Sequence, residues 1–457
     1  MFATFSSCNE RGQATHGEIA VAEHYNGADA TVLQITDQYF MPYSYYVRDD
    51  NRKYSAAWAE FLAFKYNVPL HVFEQNVKGS MFKAFLQSGR GGASVYYPTC
   101  HDTYRKSKLD SIIAEIGDAY GRTPTTISYG CNVVSYADSL PNYILGGRTS
   151  EYVHLKSGAE AITWYGKDMG NLYDQDFSEL SQLLKRSAGG RYYTDIQRDD
   201  ISVENSAKYV KEQVQQSVRT HGFYTNFMHW HDQYKNTDGA VIEGVAVMEQ
   251  LFDAMHKGLK GARNSYLDYN EAVEYLYAKE AVDAISVREE SADRMIIDLI
   301  HSKKRDRDYS VIATPISVKI PKHKLHNFDM TTVAKQERVV SIFEDENNYY
   351  VNISLDFEQK KTEITLNRGQ SSYEILNLDR KLKIVKAFFS DQITANMPCK
   401  YVLFKRKKGA NSFEVELMDR RYNFSEKYEL PDLEEGYDYF CGAITRTRES
   451  AIIQLEP

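Results

Sequence analysis

Two histidines two residues apart, in Phe227-Met228-His229-Trp230-His231-Asp232, are the sharpest chemical signal in the chain. The run 223–231 predicts a strand, and side chains two apart on a strand point to the same side. Two imidazoles on one side can hold a single zinc-like ion. The competing interpretation is structural, with one histidine packed beside Trp230 and the other capping the strand end.

Three further candidates follow other predicted strands. Asp37 closes the apolar, β-branched run 30–36, where a carboxylate can bind a metal, act as a general base or cap a turn. His101 comes just after the predicted strand 93–97, and its competing role is that of a hydrogen-bonded surface histidine. Tyr129 ends the run 125–129. Because parallel β/α domains gather reactive side chains at the C-terminal ends of strands, these residues and the histidine pair are expected at one site.

Strands and helices alternate at short intervals through the first 300 residues. Besides the strands above, residues 68–73 predict a strand and residues 265–267 a short one. Helical periodicity is found over 56–66, 81–87, 108–120, 203–220, 244–259 and 270–284. Gly121 is expected to end the third of these helices. The alternation predicts parallel β/α units.

The period changes to two from about residue 309. Seven to nine short strand-like runs separated by polar turns predict a β-sandwich. Residues 293–308, interpreted as a helix followed by a charged run, are the expected link. The sequence thus predicts an α/β domain over 1–300 and an all-β accessory domain over 301–457 that binds carbohydrate, mediates oligomerisation or acts as a structural lid.

The composition restricts the partners. The chain has 63 acidic and 55 basic residues, which argues against nucleic acid as the main partner. Five widely spaced cysteines form neither a disulfide framework nor a zinc knuckle. No apolar run is long enough to span a membrane and no signal peptide is visible, so the cytoplasm is the default expectation, with secretion or the periplasm open if a signal was removed. Nothing in the sequence indicates an oligomeric state.

The order of these segments resembles the polysaccharide deacetylase family over about residues 30–285. Ile35-Thr36-Asp37-Gln38-Tyr39 stands where that family has Thr-Phe-Asp-Asp-Gly, and Phe64 to Phe73 is similar to the stretch that follows it. Tyr97-Pro98-Thr99-Cys100-His101 corresponds to the family's His-x-x-x-His ligand pair, with Tyr97 in place of the first histidine. Ile127-Ser128-Tyr129-Gly130 stands at its Arg-Pro-Pro-Tyr-Gly strand, without the arginine, and Phe227 to His231 resembles its late Leu-x-His strand.

The resemblance implies a distorted (β/α) barrel and a metal-dependent hydrolase that removes acetyl groups from a glycan or polysaccharide. It implies that a divalent metal, zinc by preference, is held by Asp37, His101 and one of His229 and His231. Of these two histidines, His231 is the expected ligand. Asp37, His229 and His231 are then the catalytic residues, and Tyr97, Tyr129 and Trp230 are expected to contact substrate.

Two other functions fit the same scaffold. One is a noncatalytic glycan-binding or polysaccharide-assembly protein, which the replaced motif residues favour. The other is a glycoside hydrolase or lyase using paired carboxylates, for instance Asp174 with Asp176 or Asp232 with Asp37.

Overall fold

A computed structural model describes most of the 457 residues, and every structural statement below concerns that part of the chain. The described residues are 18–37, 57–75, 80–97, 104–129, 140–148, 203–227, 233–235, 241–291, 293–304, 307–325, 327–386 and 391–455. They divide into two compact units. The half-barrel unit comprises Glu23–Ala281, Lys303–Thr314 and Arg380–Pro457, and the β unit comprises Met1–Ala22, Val282–Ser302 and Pro315–Asp379.

The first half of the chain forms alternating strands and helices. Its strands are β1 (Ala20–Val21), β2 (Thr31–Asp37), β3 (Leu70–Glu74), β4 (Gly91–Tyr97), β5 (Thr126–Tyr129), β6 (Gly146–Arg148), β7 (Phe223–Phe227), β8 (Gln233–Lys235) and β9 (Val241–Glu243). Its helices are α1 (Ala57–Tyr66), α2 (Ser80–Gln87), α3 (Lys106–Tyr120), α4 (Val203–Thr220), α5 (Gly244–Leu259) and α6 (Tyr269–Ala281).

Six parallel strands form the central sheet in the order β6-β5-β4-β3-β2-β7. The strands β2 to β6 follow one another in chain order, and the later strand β7 pairs with β2 on its other edge. A doubly wound sheet reverses its order at a switch point, whereas this order runs one way around as in a barrel. The predicted α/β class is confirmed as a parallel half-barrel.

Helix ends and faces follow from local sequence. On α3 the buried residues Leu109, Ile112, Ile113 and Ile116 recur at helical spacing, and the helix stops at Gly121, whose φ of 78° is left-handed as expected for a C-terminal glycine. Helix α1 is buried around most of its circumference, from Ala57 to Phe64. A helix apolar on all sides needs neighbours on all sides.

The predicted strand 265–267 is wrong. This segment makes a single bridge, Ala30 to Asn264, and the Asn264 side chain then takes over the pairing of β2. Its oxygen accepts from the Val32 N–H at 2.9 Å and its amide donates to the Val32 carbonyl at 2.8 Å. A side-chain amide thus pairs with the start of β2, ahead of the residues that pair with β3, and periodicity does not reveal this.

The β unit holds two antiparallel-rich sheets. Its strands after β1 are β10 (Val282–Ser291), β11 (Arg294–His301), β12 (Ile316–Pro321), β13 (Val339–Glu344), β14 (Asn348–Ile353), β15 (Lys361–Asn367) and β16 (Leu376–Asn377), with a short helix α7 (Met330–Ala334). One sheet runs β1-β12-β14-β13-β16 and the other β10-β11-β15.

The link over 293–308, predicted as a helix followed by a charged run, instead contains strand β11 where the helix was expected. Residues 295–299 of β11 are all buried, and β11 is hydrogen-bonded to β10 on one side and β15 on the other. A central strand can be buried on both faces, so its run lacks the period of two that identifies a strand with one solvent-exposed face.

The last strands belong to the half-barrel unit. They are β17 (Ile384–Lys386), β18 (Gln392–Lys407), β19 (Glu416–Glu429), β20 (Tyr437–Thr445) and β21 (Ser450–Leu455), an antiparallel C-terminal sheet centred on β18. A β-rich C-terminal region is therefore confirmed, but its strands divide between two units instead of forming the single expected sandwich. The boundaries of the two units also differ from those of the predicted segments 1–300 and 301–457.

The described helices include none with the length and apolar character needed to cross a bilayer.

Candidate functional site

Three of the predicted site residues end neighbouring strands of the half-barrel. Asp37 is the last residue of β2 and pairs in register with Phe73 of β3. Tyr97 and Tyr129 are the last residues of β4 and β5 and pair with each other. All three backbone positions therefore lie at the C-terminal edge of the sheet, where β/α proteins place reactive groups.

Strand β7 lies directly beside β2. The two strands pair in parallel from Thr31 and Phe223 to Ile35 and Phe227. Gln34 and Asn226, which are partners in this register, are buried and their side-chain amides are hydrogen-bonded at 2.8 Å. In the sequence, Phe227 precedes His229 by two residues, so the strand next to Asp37 leads into the histidine segment.

Tyr97 faces away from the interior of the half-barrel. Ser94 of the same strand points inward, since its hydroxyl contacts Asn270 of α6, and residues three apart on a strand point to opposite faces. The Tyr97 hydroxyl accepts a hydrogen bond from the Arg105 N–H at 2.8 Å, next to the start of α3, and its ring is fully buried. This placement favours a structural role for Tyr97 over the predicted contact with substrate.

The remaining predicted residues lie outside the described part of the chain. These are His101, His229, Trp230 and His231, together with Asp174, Asp176 and Asp232 of the alternative carboxylate pairs. The described residues contain no group of three or more potential metal ligands. The metal site and the substrate contacts of Tyr129 and Trp230 stay predictions.

The opposite, N-terminal edge of the sheet carries a buried polar cluster that sequence reasoning missed. Its centre is Asn270 of α6, which binds the starts of two strands. The Asn270 side-chain oxygen accepts from the Thr125 N–H at 3.0 Å and from the Thr126 hydroxyl at 2.7 Å, and its amide donates to the Ala93 carbonyl at 2.8 Å. The helix thereby closes this edge of β4 and β5.

Asp268 and Glu271 form a capping box at the start of α6. The Glu271 N–H donates to the Asp268 carboxylate at 3.0 Å, and the Asp268 N–H donates to the Glu271 carboxylate at 3.0 Å. Reciprocal bonds of this kind satisfy the first free N–H groups of a helix. The sequence signal was the spacing Asp-x-x-Glu before an apolar helix, and it was available before the structure.

The pKa values of the two carboxylates of the capping box are shifted in opposite directions. Burial raises the pKa of Asp268, and the neighbouring Glu271 raises it further. Burial alone would also raise the pKa of Glu271, but the charge and hydrogen bonds of Arg448 lower it below its usual value. Arg448 makes a bidentate contact with Glu271, with one of the two bonds at 2.6 Å. Glu271 is therefore the anionic member of the pair.

Arg448 comes from the turn after β20, so this ion pair joins the C-terminal sheet to the half-barrel. A second pair, Arg420 with Glu60 of α1, has the same geometry, with bonds of 2.7 and 2.6 Å. Bidentate arginine–carboxylate pairs fix orientation as well as charge. Both arginines are more than 170 residues from their partners, which is why the spacing of charges along the chain gave no sign of them.

Comparison with known proteins does not show a family for the chain. No family model matches it, and no curated protein does. Solved structures that align with it include a β-glucuronidase of Parabacteroides merdae, described with glycerol in its active site. That alignment has 8% identity and a TM-score of 0.20, and it covers 97% of this chain and 63% of the other. A similarity of this strength does not establish a shared fold.

Proposed function

We propose that the chain is a metal-dependent hydrolase that removes acetyl groups from a glycan, with its site at the C-terminal edge of the half-barrel. The observation that carries the proposal is the pairing of β2 with β7, since β2 ends at Asp37 and β7 leads toward His229 and His231. Strands distant in sequence are neighbours here, as a shared site at the edge of a barrel requires. The one-way strand order also supports a barrel of the polysaccharide deacetylase type.

The donor set of the proposed site fits a zinc ion. One carboxylate and two imidazoles form a common three-residue set for catalytic zinc, which keeps a further position open for water or substrate. Asp37, His101 and His231 would hold the ion. The chemistry supplied by a bound zinc ion is activation of water near neutral pH and polarisation of the acetyl carbonyl.

The residues of the chain itself divide the remaining tasks. His229 would hold the proton that the leaving amine or alcohol takes up. A catalytic proton donor must stand within hydrogen-bond reach of the leaving atom. His229 would meet this requirement while His231 binds the ion, so the two histidines have different tasks although they are two residues apart. Trp230 offers a flat face on which a sugar ring can pack.

Acetate release tests the proposal. The full chain, supplied with zinc, is incubated with acetylated chitooligosaccharide and with acetylated xylan, and free acetate is measured. We expect release that falls by at least about 100-fold in D37N and in the double variant H229A/H231A, because general acid–base catalysis alone contributes about 10²–10⁴-fold. The matched control is H256Q, which alters an exposed histidine of α5. Release that the variants leave unchanged would contradict the proposal.

A noncatalytic glycan-binding protein is the second candidate, and the orientation of Tyr97 favours it. Tyr97 takes the place of a family metal ligand and its hydroxyl is bound to Arg105 on the outer face of β4. Glycan binding with no acetate release at any metal concentration would select this function. Glycosidic cleavage insensitive to chelators would instead select a glycoside hydrolase.

A further inference from the structure

A cavity of about 310 Å³ lies between the N-terminal edge of the half-barrel and the C-terminal sheet, within the half-barrel unit. Its inner wall includes Tyr120, Asp268 and Glu271, and its outer wall includes Lys400, Phe424 and Arg446. Asp268 and Glu271 are buried, whereas Phe424 and Arg446 are exposed. The cavity therefore has a buried end that carries carboxyl groups and an exposed end that carries cations.

The charges of the inner wall already have partners. Tyr120 donates its hydroxyl hydrogen to Asp268, and Arg448 binds Glu271 through both terminal guanidinium nitrogens. Arg122, which also lines the cavity, is paired with Glu274. These contacts give the inner wall a structural role. Each carboxylate still has lone pairs that can accept hydrogen bonds from further donors.

The outer wall holds two cations that have no carboxylate within ion-pair distance among the described residues. The Nζ of Lys400 lies 5.4 Å from the centre of the Phe424 ring, and the Arg446 guanidinium lies 5.3 Å from it. Burial and the charge of Arg448 lower the pKa of Lys400. By contrast, Arg406 further along β18 is paired with Asp438 at 2.9 Å. Unpaired cations brought together in a chain with an acidic excess favour an anionic ligand.

We propose that this cavity binds an acidic sugar unit, with its carboxylate between Lys400 and Arg446 and its hydroxyl groups directed to Asp268 and Glu271. A phosphate ion offers no more than one or two hydroxyl hydrogens, whereas a uronic acid carries an anion at one end and several O–H donors at the other.

The size of the cavity agrees with a short ligand. A volume near 310 Å³ is at the low end of the roughly 300–1,000 Å³ found for ligand pockets, so one or two sugar rings would fill it. The cavity is at the opposite edge of the sheet from Asp37, and the proposal does not depend on hydrolysis there.

Calorimetric titration of the full chain with sodium glucuronate, glucose and inorganic phosphate tests the assignment. We expect glucuronate to bind at least about tenfold more tightly than glucose, and the double variant K400Q/R446Q to lose about tenfold in glucuronate affinity, as the loss of two partly exposed ion pairs implies. The matched control K383Q/K427Q removes the same charge from exposed positions next to β17 and on β19 of the same sheet and should bind within about twofold of the unaltered chain.

Three outcomes would overturn the assignment. These are glucuronate affinity unchanged in K400Q/R446Q, phosphate binding as tight as glucuronate binding, and no binding of any of the three probes. Thermal unfolding of each variant, together with the single variants K400Q and R446Q, separates a lost contact from a lost fold. Because acetate release is measured separately, failure here is distinguishable from failure of the proposed hydrolase activity.

Discussion

Arg420 and Glu60 lie almost entirely out of solvent, with side chains 8% and 3% exposed. We predict that R420M lowers the free energy of unfolding of the half-barrel unit by about 3–5 kcal/mol, because it leaves the Glu60 carboxylate buried without its counter-charge. Burial already raises the pKa of Glu60. Denaturant unfolding followed by tryptophan fluorescence measures the change.

The neighbouring residue provides a matched control for this substitution. Arg421 is 61% exposed and lies 3.3 Å from Asp419. R421M should cost no more than about 1 kcal/mol, as is usual for exposed pairs. Equal losses in the two variants would mean that the Arg420–Glu60 pair contributes no more than a surface contact.

His24 predicts a pH dependence of stability. It is fully buried, with Nδ1 2.9 Å from the Thr31 hydroxyl and Nε2 2.8 Å from the His221 carbonyl, and burial lowers its pKa to about 4. The unfolded chain, in which the pKa is about 6.5, binds this proton more readily. Stability is therefore full above about pH 6.5 and is lost as the pH falls toward 4, by up to about 3 kcal/mol.

The variant H24Q tests this pH dependence. Its free energy of unfolding should change less between pH 6.5 and pH 4 than that of the unaltered chain, whereas H256Q should keep the original slope. An unchanged slope in H24Q would show that His24 is not the group responsible.

Single residues were predictable from the sequence where local pattern fixes them. The positions of Asp37 and Tyr129 at strand ends followed from apolar runs, and Gly121 from its place after a helix. The sequence shows that Tyr97 and Ser94 point to opposite faces of β4, because they are three residues apart. Which face is the inner one is evident only from the contact of Ser94 with Asn270 of α6. Arg448 and Arg420 could not be assigned, since their partners are far away in sequence.

At the scale of elements, the close approach of β4 to the start of α6 requires a glycine. A Cβ added at Gly92 would lie 2.3 Å from Oδ2 and 2.4 Å from Cβ of Asp268. We predict that G92A displaces the capping box and lowers the free energy of unfolding by about 1–3 kcal/mol.

Gly117 in α3 provides the control for G92A. There an added Cβ would lie no closer than 3.5 Å to any neighbouring atom. G117A should be neutral or stabilise the chain by about 0.5–1 kcal/mol, because alanine is the better helix former. Thermal unfolding of both variants gives the comparison, and equal stability of G92A and the unaltered chain would contradict the described contact.

Elements with a clear period were predicted within a few residues, as the agreement for β3, α3 and α5 illustrates. Strands β10 and β11 were missed because residues 295–299 of β11 are buried on both faces and β10 follows α6 without a break in the chain. The segment before α6 was misjudged because Asn264 pairs with β2 through its side chain. In each case a tertiary neighbour, and not local periodicity, decides the conformation.

At the scale of the whole molecule, the C-terminal sheet completes the core of the half-barrel unit. Phe61 of α1 packs edge-on against Phe404 and Phe440 at 5.5 and 5.2 Å, and Trp58 packs against Phe413 at 6.3 Å. We predict that a chain ending at Asp379 loses cooperative unfolding. In the shortened chain Trp58, Phe61 and Phe64 would become exposed. Each would lose about 1.5–3 kcal/mol of stabilisation from burial, a large part of the stability of a typical domain.

Calorimetry and limited proteolysis of the shortened chain check this prediction. A half-barrel that resists protease and melts at its original temperature would show that the C-terminal sheet is a separable accessory domain, as the sequence first indicated. The chain order of segments gives no sign of this arrangement, because the contacts that create it join residues more than 300 positions apart.

The central claim, a metal site shared by Asp37 and the histidines that follow β7, is tested most directly by elemental analysis of the purified full chain after dialysis against trace zinc. We expect close to one zinc ion per chain, with the ion lost in the double variant H229A/H231A and retained in H256Q. A zinc content that is negligible, or that is the same in H229A/H231A as in the unaltered chain, would contradict it.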